Sequence, residues 1–189
     1  MKKLKLFAMV LILPLLFACQ EESNLVGPEK SSVSTSEPSW ISIPASENNQ
    51  LKKVFSVTQL ITAQSGGVIR LDESYEGGPF GNVMLSAEIK FAPGTIDEDT
   101  YFTMAFDDEA GVITFSPSMT FNQDAPLTIS LKGIDLSDVN IDDIGFVYFD
   151  ANGEYVDVDA KKLWVKTNDG SLGVLQAQIP HFSRYGFTK

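Results

Sequence analysis

The chain has one histidine, His181, and one cysteine, Cys19, and these two counts limit its chemistry. The usual zinc sites take several His or Cys ligands, so they are excluded. A Ser-His-acid triad would have to use His181, and the chain has no G-x-S-x-G nucleophile-elbow pattern. A lone cysteine also excludes an intramolecular disulfide. We therefore predict a non-catalytic domain whose core is stabilised by packing alone, without disulfide bonds.

Cys19 closes a segment with the composition of an export signal. Three lysines lie among the first five residues, and residues 6–17 are wholly apolar. This run is too short for a transmembrane helix, which needs about 20 residues. Residues 16–19, Leu-Phe-Ala-Cys, resemble the lipobox of bacterial lipoproteins. We predict a signal peptide over residues 1–18 and lipidation of Cys19, so that the lipid binds the membrane. The alternative is an ordinary secretory signal followed by a chance cysteine.

The residues after Cys19 bear on where the protein goes. Gln20, rather than aspartate, follows the cysteine, which by analogy with lipoprotein sorting favours the outer membrane of the cell envelope. Glu21 and Glu22 resemble the start of a surface-export signal, although a solvated tether would also begin this way. The sequence leaves open whether the domain faces the periplasm or the exterior.

Residues 19–50 are rich in serine and proline and lack apolar periodicity, which predicts a flexible, disordered tether. Its r.m.s. reach would be on the order of 30 Å. Trp40, Ile41 and Ile43 are the exception, and we expect them to dock on the domain as an edge strand. Without residues 1–18, 11 basic residues face 25 acidic ones, a formal charge of −14. This charge argues against nucleic acid as a partner.

Residues 51–189 alternate apolar and polar side chains with a period of two, as half-buried strands do. The alternating sets are Val83 to Phe91; Phe102, Met104 and Phe106; Leu127, Ile129 and Leu131; and Leu175, Ala177 and Ile179. Turn signals separate them: Gly66-Gly67, Gly77-Gly78-Pro79, Pro93-Gly94, Asn152-Gly153 and Asp169-Gly170. We predict one all-β domain, an antiparallel, immunoglobulin-like β-sandwich.

Several segments in this order together resemble the ZU-five domain, a β-sandwich named from zonula-occludens and netrin-receptor proteins. They are Gly66-Gly67-Val68; residues 91–96 with Asp99-Thr100; Phe115-Ser116-Pro117 with Phe121 and residues 125–128; Tyr148-Phe149-Asp150 with Gly153 and Tyr155; and His181-Phe182-Ser183 with Tyr185. Thr95 replaces the family's usual alanine. The resemblance covers about residues 60–189 and implies a structural or interaction module.

The resemblance also implies one specific reaction. Death-domain scaffold proteins of this family cleave themselves between phenylalanine and serine in a His-Phe-Ser triplet. Carried over, Ser183 would be the nucleophile, His181 the base, and the Phe182 carbonyl the target. The alternative is a closing strand in which the three side chains serve structure alone.

Acidic turns are candidates for binding calcium. With the usual zinc sites excluded, calcium is the one cofactor that the composition still allows. Calcium takes six to eight oxygen ligands, and Asp150 and Asn152 form part of an Asp-x-Asn-Gly fragment. The distal glutamate of an EF-hand loop is missing at its proper spacing. Solvated turns account for such residues equally well, and we predict no metal.

Carbohydrate is the remaining candidate ligand. Aromatic side chains that could stack on sugar rings are Trp40, Tyr75, Tyr101, Tyr155 and Trp164. Trp164 is the preferred one, because it faces opposite to Leu163 and Val165. The sequence thus predicts a lipid-anchored, non-catalytic domain with a structural or binding role in the envelope, where its partner would be an envelope protein or a glycan. The alternatives are a self-cleaving domain at Phe182-Ser183 and a surface glycan-binding module.

Overall fold

A computed structural model describes residues 39–44, 54–107, 111–150 and 154–189. These residues form two antiparallel sheets packed face to face, so the predicted all-β sandwich is confirmed. Their one helical element is a 3₁₀ turn, Ile141–Asp143. Within the described ranges, no helix has the length and apolar character needed to span a membrane. The predicted signal peptide, Cys19 and the tether up to residue 38 lie outside them.

Eleven strands make up the described part of the chain. They are β1 Val54–Ile61, β2 Gly67–Gly78, β3 Gly81–Phe91, β4 Thr100–Asp107, β5 Val112–Ser116, β6 Thr120–Lys132, β7 Gly145–Phe149, β8 Tyr155–Asp157, β9 Ala160–Lys166, β10 Ser171–His181 and β11 Arg184–Thr188. One sheet has six strands in the order β1-β4-β5-β11-β7-β8. The other has five, in the order β2-β3-β6-β10-β9.

The core lies between the sheets and is built by the predicted alternation. Val83, Leu85, Ala87, Ile89 and Phe91 are all buried on the inner face of β3. The predicted sets on β4 and β6 are buried in the same way. Each buried Val, Leu, Ile or Phe side chain stabilises the fold by about 1.5–3 kcal/mol relative to exposure.

The predicted alternation is interrupted on β10. Val174 pairs with Ile129 and Ala177 with Leu127, so β10 carries one extra residue over this step, which is a β-bulge. Gln176 adopts a positive φ of 51° within it. The bulge turns Leu175 away from Ala177, so that Leu175 is only half-buried instead of sharing the inner face.

The segment 39–44 belongs to the packed domain. Trp40 bridges to Thr188 of β11, and the Ile41 amide donates to the Phe187 carbonyl at 2.9 Å. Ile41 and Ile43 are buried in the core. The docking expected from the sequence is therefore present, with these residues lying alongside β11.

Candidate functional site

The His181-Phe182-Ser183 triplet lies where the chain passes from one sheet to the other. His181 ends β10 of the five-stranded sheet, and β11 of the six-stranded sheet begins at Arg184. Only two residues make this link, so each of them is closely positioned by both sheets.

Phe182 fills the core at this crossing and is only 2% exposed. Its ring packs on Phe102 and Phe115 of the six-stranded sheet, with ring centroids 4.6 and 4.8 Å away. It also packs on Phe121 at 4.9 Å and Phe91 at 6.0 Å, both from the five-stranded sheet. These edge-on and stacked pairs add about 0.5–1.5 kcal/mol each beyond burial. Phe182 therefore joins the two sheets.

The polar groups around Phe182 are arranged for strand closure. The Ser183 Oγ donates to the Phe149 carbonyl on β7 at 2.9 Å. The Phe182 carbonyl accepts a bond from the Ser118 Oγ at 3.4 Å, and the Phe182 amide donates to the Met119 carbonyl at 2.8 Å. An attacking serine would instead direct its proton to a base and its oxygen to the scissile carbonyl. The geometry thus favours an intact link.

None of the three residues of the triplet has the positive φ that would mark backbone strain, which such cleavage also needs. In the described ranges, Gln176 is the only non-glycine residue with positive φ. The His181 ring packs edge-on against Tyr148, with centroids 4.7 Å apart.

Tyr185 is held against the same crossing. Its hydroxyl donates to the His181 carbonyl at 2.6 Å. Burial raises the pKa of Tyr185 well above its ordinary value, and the nearby Tyr148 and Asp124 raise it further. The neutral phenol is therefore the form that the fold stabilises.

The acidic turns use their carboxylates as hydrogen-bond acceptors. The Asp150 Oδ1 accepts from the Glu154 amide at 2.8 Å, and the Asp99 Oδ1 accepts from the Ala63 amide at 2.9 Å. Asn152 lies outside the described residues. Where the structure describes the chain, no three His, Cys, Asp or Glu side chains could share a metal ion. Calcium binding stays a hypothesis.

The five candidate aromatic side chains do not form one row. Tyr75 donates to the Pro44 carbonyl at 2.9 Å and stacks on Phe55. Tyr101 on β4 and Tyr155 on β8 are exposed near opposite edges of the six-stranded sheet. Trp40 packs on the outer side of that sheet, where it covers Gly186. Tyr75 on β2 and Trp164 on β9 both belong to the five-stranded sheet, but they lie on its opposite edge strands.

The outer face of the five-stranded sheet carries a depression of about 430 Å³, which we call the serine trough. Its lining residues are Asp72, Glu73, Ser74, Met84, Leu85, Ser86, Ser130 and Lys132. Across the strands, Asp72 pairs with Ser86 and Ser86 with Ser130, so short side chains form the floor. The Ser86 Oγ donates to the Asp72 Oδ1 at 2.6 Å.

Trp164 continues this row of residues. Gly173 is the cross-strand neighbour of Ser130 on one side and of Trp164 on the other. The indole lies directly over Gly173, where a Cβ would collide with the ring. Trp164 is thus half-buried rather than fully exposed, and its ring extends from β9 towards Ser130.

The sequence analysis missed the serine trough, although it identified Trp164. The signal was the short Ser86 between Met84 and Glu88, repeated by Ser130 between Thr128 and Lys132. Only the strand register shows that these serines are neighbours.

Comparison with protein-family models, curated proteins and solved structures finds no match for this chain. The resemblance to the ZU-five family stays a prediction.

We expect the Phe182–Ser183 bond to stay intact. Phe182→Ala should lower the free energy of unfolding by about 3–5 kcal/mol, because it empties the aromatic cluster. Ser183→Ala should cost only about 1 kcal/mol, for the bond to Phe149. Intact-mass spectrometry tests cleavage directly. Loss of residues 183–189 from the wild type, but not from Ser183→Ala, would contradict this assignment.

Tyr185 should make the fold sensitive to alkali. Because its folded pKa is raised, its contribution is fully present below about pH 10, the unfolded value, and is lost as pH rises further. Tyr185→Phe should be about 1 kcal/mol less stable at pH 7, where its bond to His181 is missing. Above pH 10, the free energy of unfolding of Tyr185→Phe, measured by urea titration, should fall less steeply than that of the wild type. Parallel decline of the two proteins would refute the assignment.

Proposed function

We propose that this chain is a lipid-anchored, non-catalytic binding module of the cell envelope, and that the serine trough is its binding surface. The observation that carries the proposal is the trough itself: an open row of hydroxyl groups with a carboxylate at one end and an indole near the other. The His181-Phe182-Ser183 triplet, by contrast, is occupied in joining the sheets.

The anchor is proposed from the sequence. Residues 1–18 would direct export, and Cys19 would carry the lipid that attaches the protein to the outer membrane. One acyl chain binds a membrane only weakly, whereas two or more hold firmly. Because residues 39–44 dock on the domain, residues 20–38 would form the tether, with an r.m.s. reach of about 25 Å.

The chemistry of the serine trough fits a glycan better than a flat protein surface. Sugar hydroxyls would exchange hydrogen bonds with Ser86, Ser130 and Asp72, which lie in one row. The exposed part of the Trp164 ring offers an apolar face for a sugar ring. Small-molecule sites combine such an apolar wall with a few placed polar groups. An envelope protein is the alternative occupant.

Filling the trough should abolish binding. We expect the full chain, purified in mild detergent, to bind a subset of a glycan array. Ser130→Phe would place a ring in the trough without entering the core, so binding should be lost with the melting temperature almost unchanged. Ser56→Phe, on the outer face of the other sheet, is the matched control and should bind normally. Binding by Ser130→Phe at the wild-type level would disprove the location. If the wild-type chain binds no glycan, the proposal of carbohydrate binding is wrong.

Lipidation should depend on Cys19. We expect cells grown with labelled palmitate to incorporate the label into the wild type, and the protein to sediment with membranes. Cys19→Ala should lose the label and move to the soluble fraction, because no lipid remains to hold it. A Cys19→Ala protein that still sediments with membranes would overturn the anchor.

A further inference from the structure

Positive charge is concentrated beside Trp164, although the predicted mature chain carries a formal charge of −14. Lys162 and Lys166 flank Trp164 at alternate positions of β9 and so share its outer face. Lys132 lines the serine trough on β6. Ser171 of β10 pairs with Lys166 on one side. On the other side its neighbour Leu172 pairs with Leu131, which places Ser171 opposite Lys132. These three lysines form what we call the lysine cluster.

The lysine cluster has no acidic partners among the residues that the structure describes, and all three side chains are exposed. The other two cations of this outer face, Arg70 and Lys90, both pair with Glu88. The hydrogen bond from Arg70, and then the one from Lys90, lower the pKa of Glu88 below its ordinary value. The cations on β2 and β3 therefore have an acidic partner, whereas the lysines on β6 and β9 have none among the described residues.

Protection of a sheet edge explains only part of the lysine cluster. Lysines on an exposed edge strand prevent association with other chains, and β9 is such an edge. Lys132, however, lies on β6, the central strand of the five, where no edge needs protection. Lys132 instead lines the serine trough.

The two ends of the binding row differ in charge. Asp72, which accepts a bond from Ser86, lies at the β2 end, whereas the lysine cluster lies at the β6 and β9 end. Lys132 and Lys166 are two strand spacings apart, about 10 Å. An anionic group would be attracted at the cluster and repelled near Asp72, so the row can orient its ligand.

We propose that the serine trough binds an anionic glycan, whose carboxylate, sulfate or phosphate group contacts the lysine cluster and whose uncharged sugars lie over Ser86 and Ser130. This inference rests on the proposed binding function. An anionic membrane surface fits less well, because Asp72 and Glu88 lie on the same face and because the Trp164 ring is half-buried over Gly173.

Matched polysaccharides test the charge requirement. Binding of the full chain to polygalacturonate is compared with binding to its methyl ester, and binding to dextran sulfate with binding to dextran. We expect the charged member of each pair to bind more tightly, with the difference decreasing as salt is raised. Anionic and neutral phospholipid vesicles serve as the membrane probe: the lipid proposed on Cys19 would insert into both, so we expect no preference for the anionic vesicles.

A matched pair of double variants tests the location. Lys132→Gln with Lys166→Gln should weaken binding to the charged polymers about fivefold to tenfold, as expected for two exposed ion pairs. Lys161→Gln with Lys189→Gln removes the same charge elsewhere, from the other side of β9 and from the residue after β11, and should change affinity less than about twofold.

The outcomes separate this inference from the proposed function. Equal binding of charged and neutral polymers, blocked by Ser130→Phe, would overturn the charge requirement and keep the glycan site. Equal loss in both double variants would assign binding to net charge and reject the lysine cluster. A clear preference for anionic over neutral vesicles, with no polysaccharide bound, would overturn both the glycan site and its charge requirement.

Discussion

The packing of Phe182 between the two sheets is the interaction on which the rest of the structure depends. The chain changes sheets within two residues there, and the ring contacts two phenylalanines of each sheet. Aromatic rings bury large apolar areas, so this one contact closes an end of the core and fixes the start of β11. β11 is central to the six-stranded sheet, pairing with both β5 and β7. A reactive role for this triplet would have to operate next to a ring that is packed between the two sheets.

Both tryptophans lie outside the core and cover a glycine. Trp164 lies over Gly173 on one sheet, and Trp40 lies over Gly186 on the other. A glycine within a strand leaves the sheet surface without a side chain to pack, and an aromatic neighbour can fill that place. An outer tryptophan is therefore not a ligand site by itself. Trp164 differs from Trp40 because its ring adjoins an open row of serines.

The sequence predicted the strands well but did not reveal the serine trough, for a physical reason. Burial of one strand face imposes a period of two, which is visible in residues 83–91 without any structure. The bulge at Gln176 was not visible, because an extra residue depends on how β10 pairs with β6. The serine trough likewise comes from β2, β3 and β6, and only their register makes its lining residues neighbours.

The two sheets carry different features on their outer faces, and this difference bears on the proposed anchor. Residues 39–44 join the domain at the six-stranded sheet, where the Lys189 amide also donates to the Ser39 carbonyl at 2.9 Å. Trp40 packs on the outer face of that sheet, whereas Ile41 and Ile43 are buried in the core. The five-stranded sheet has its serine trough and lysine cluster on its own outer face, across the core from this junction. A ligand in the serine trough would thus be separated by the core from Trp40 and from the bonds that residues 39–41 make to β11 and Lys189, so it would leave that junction undisturbed.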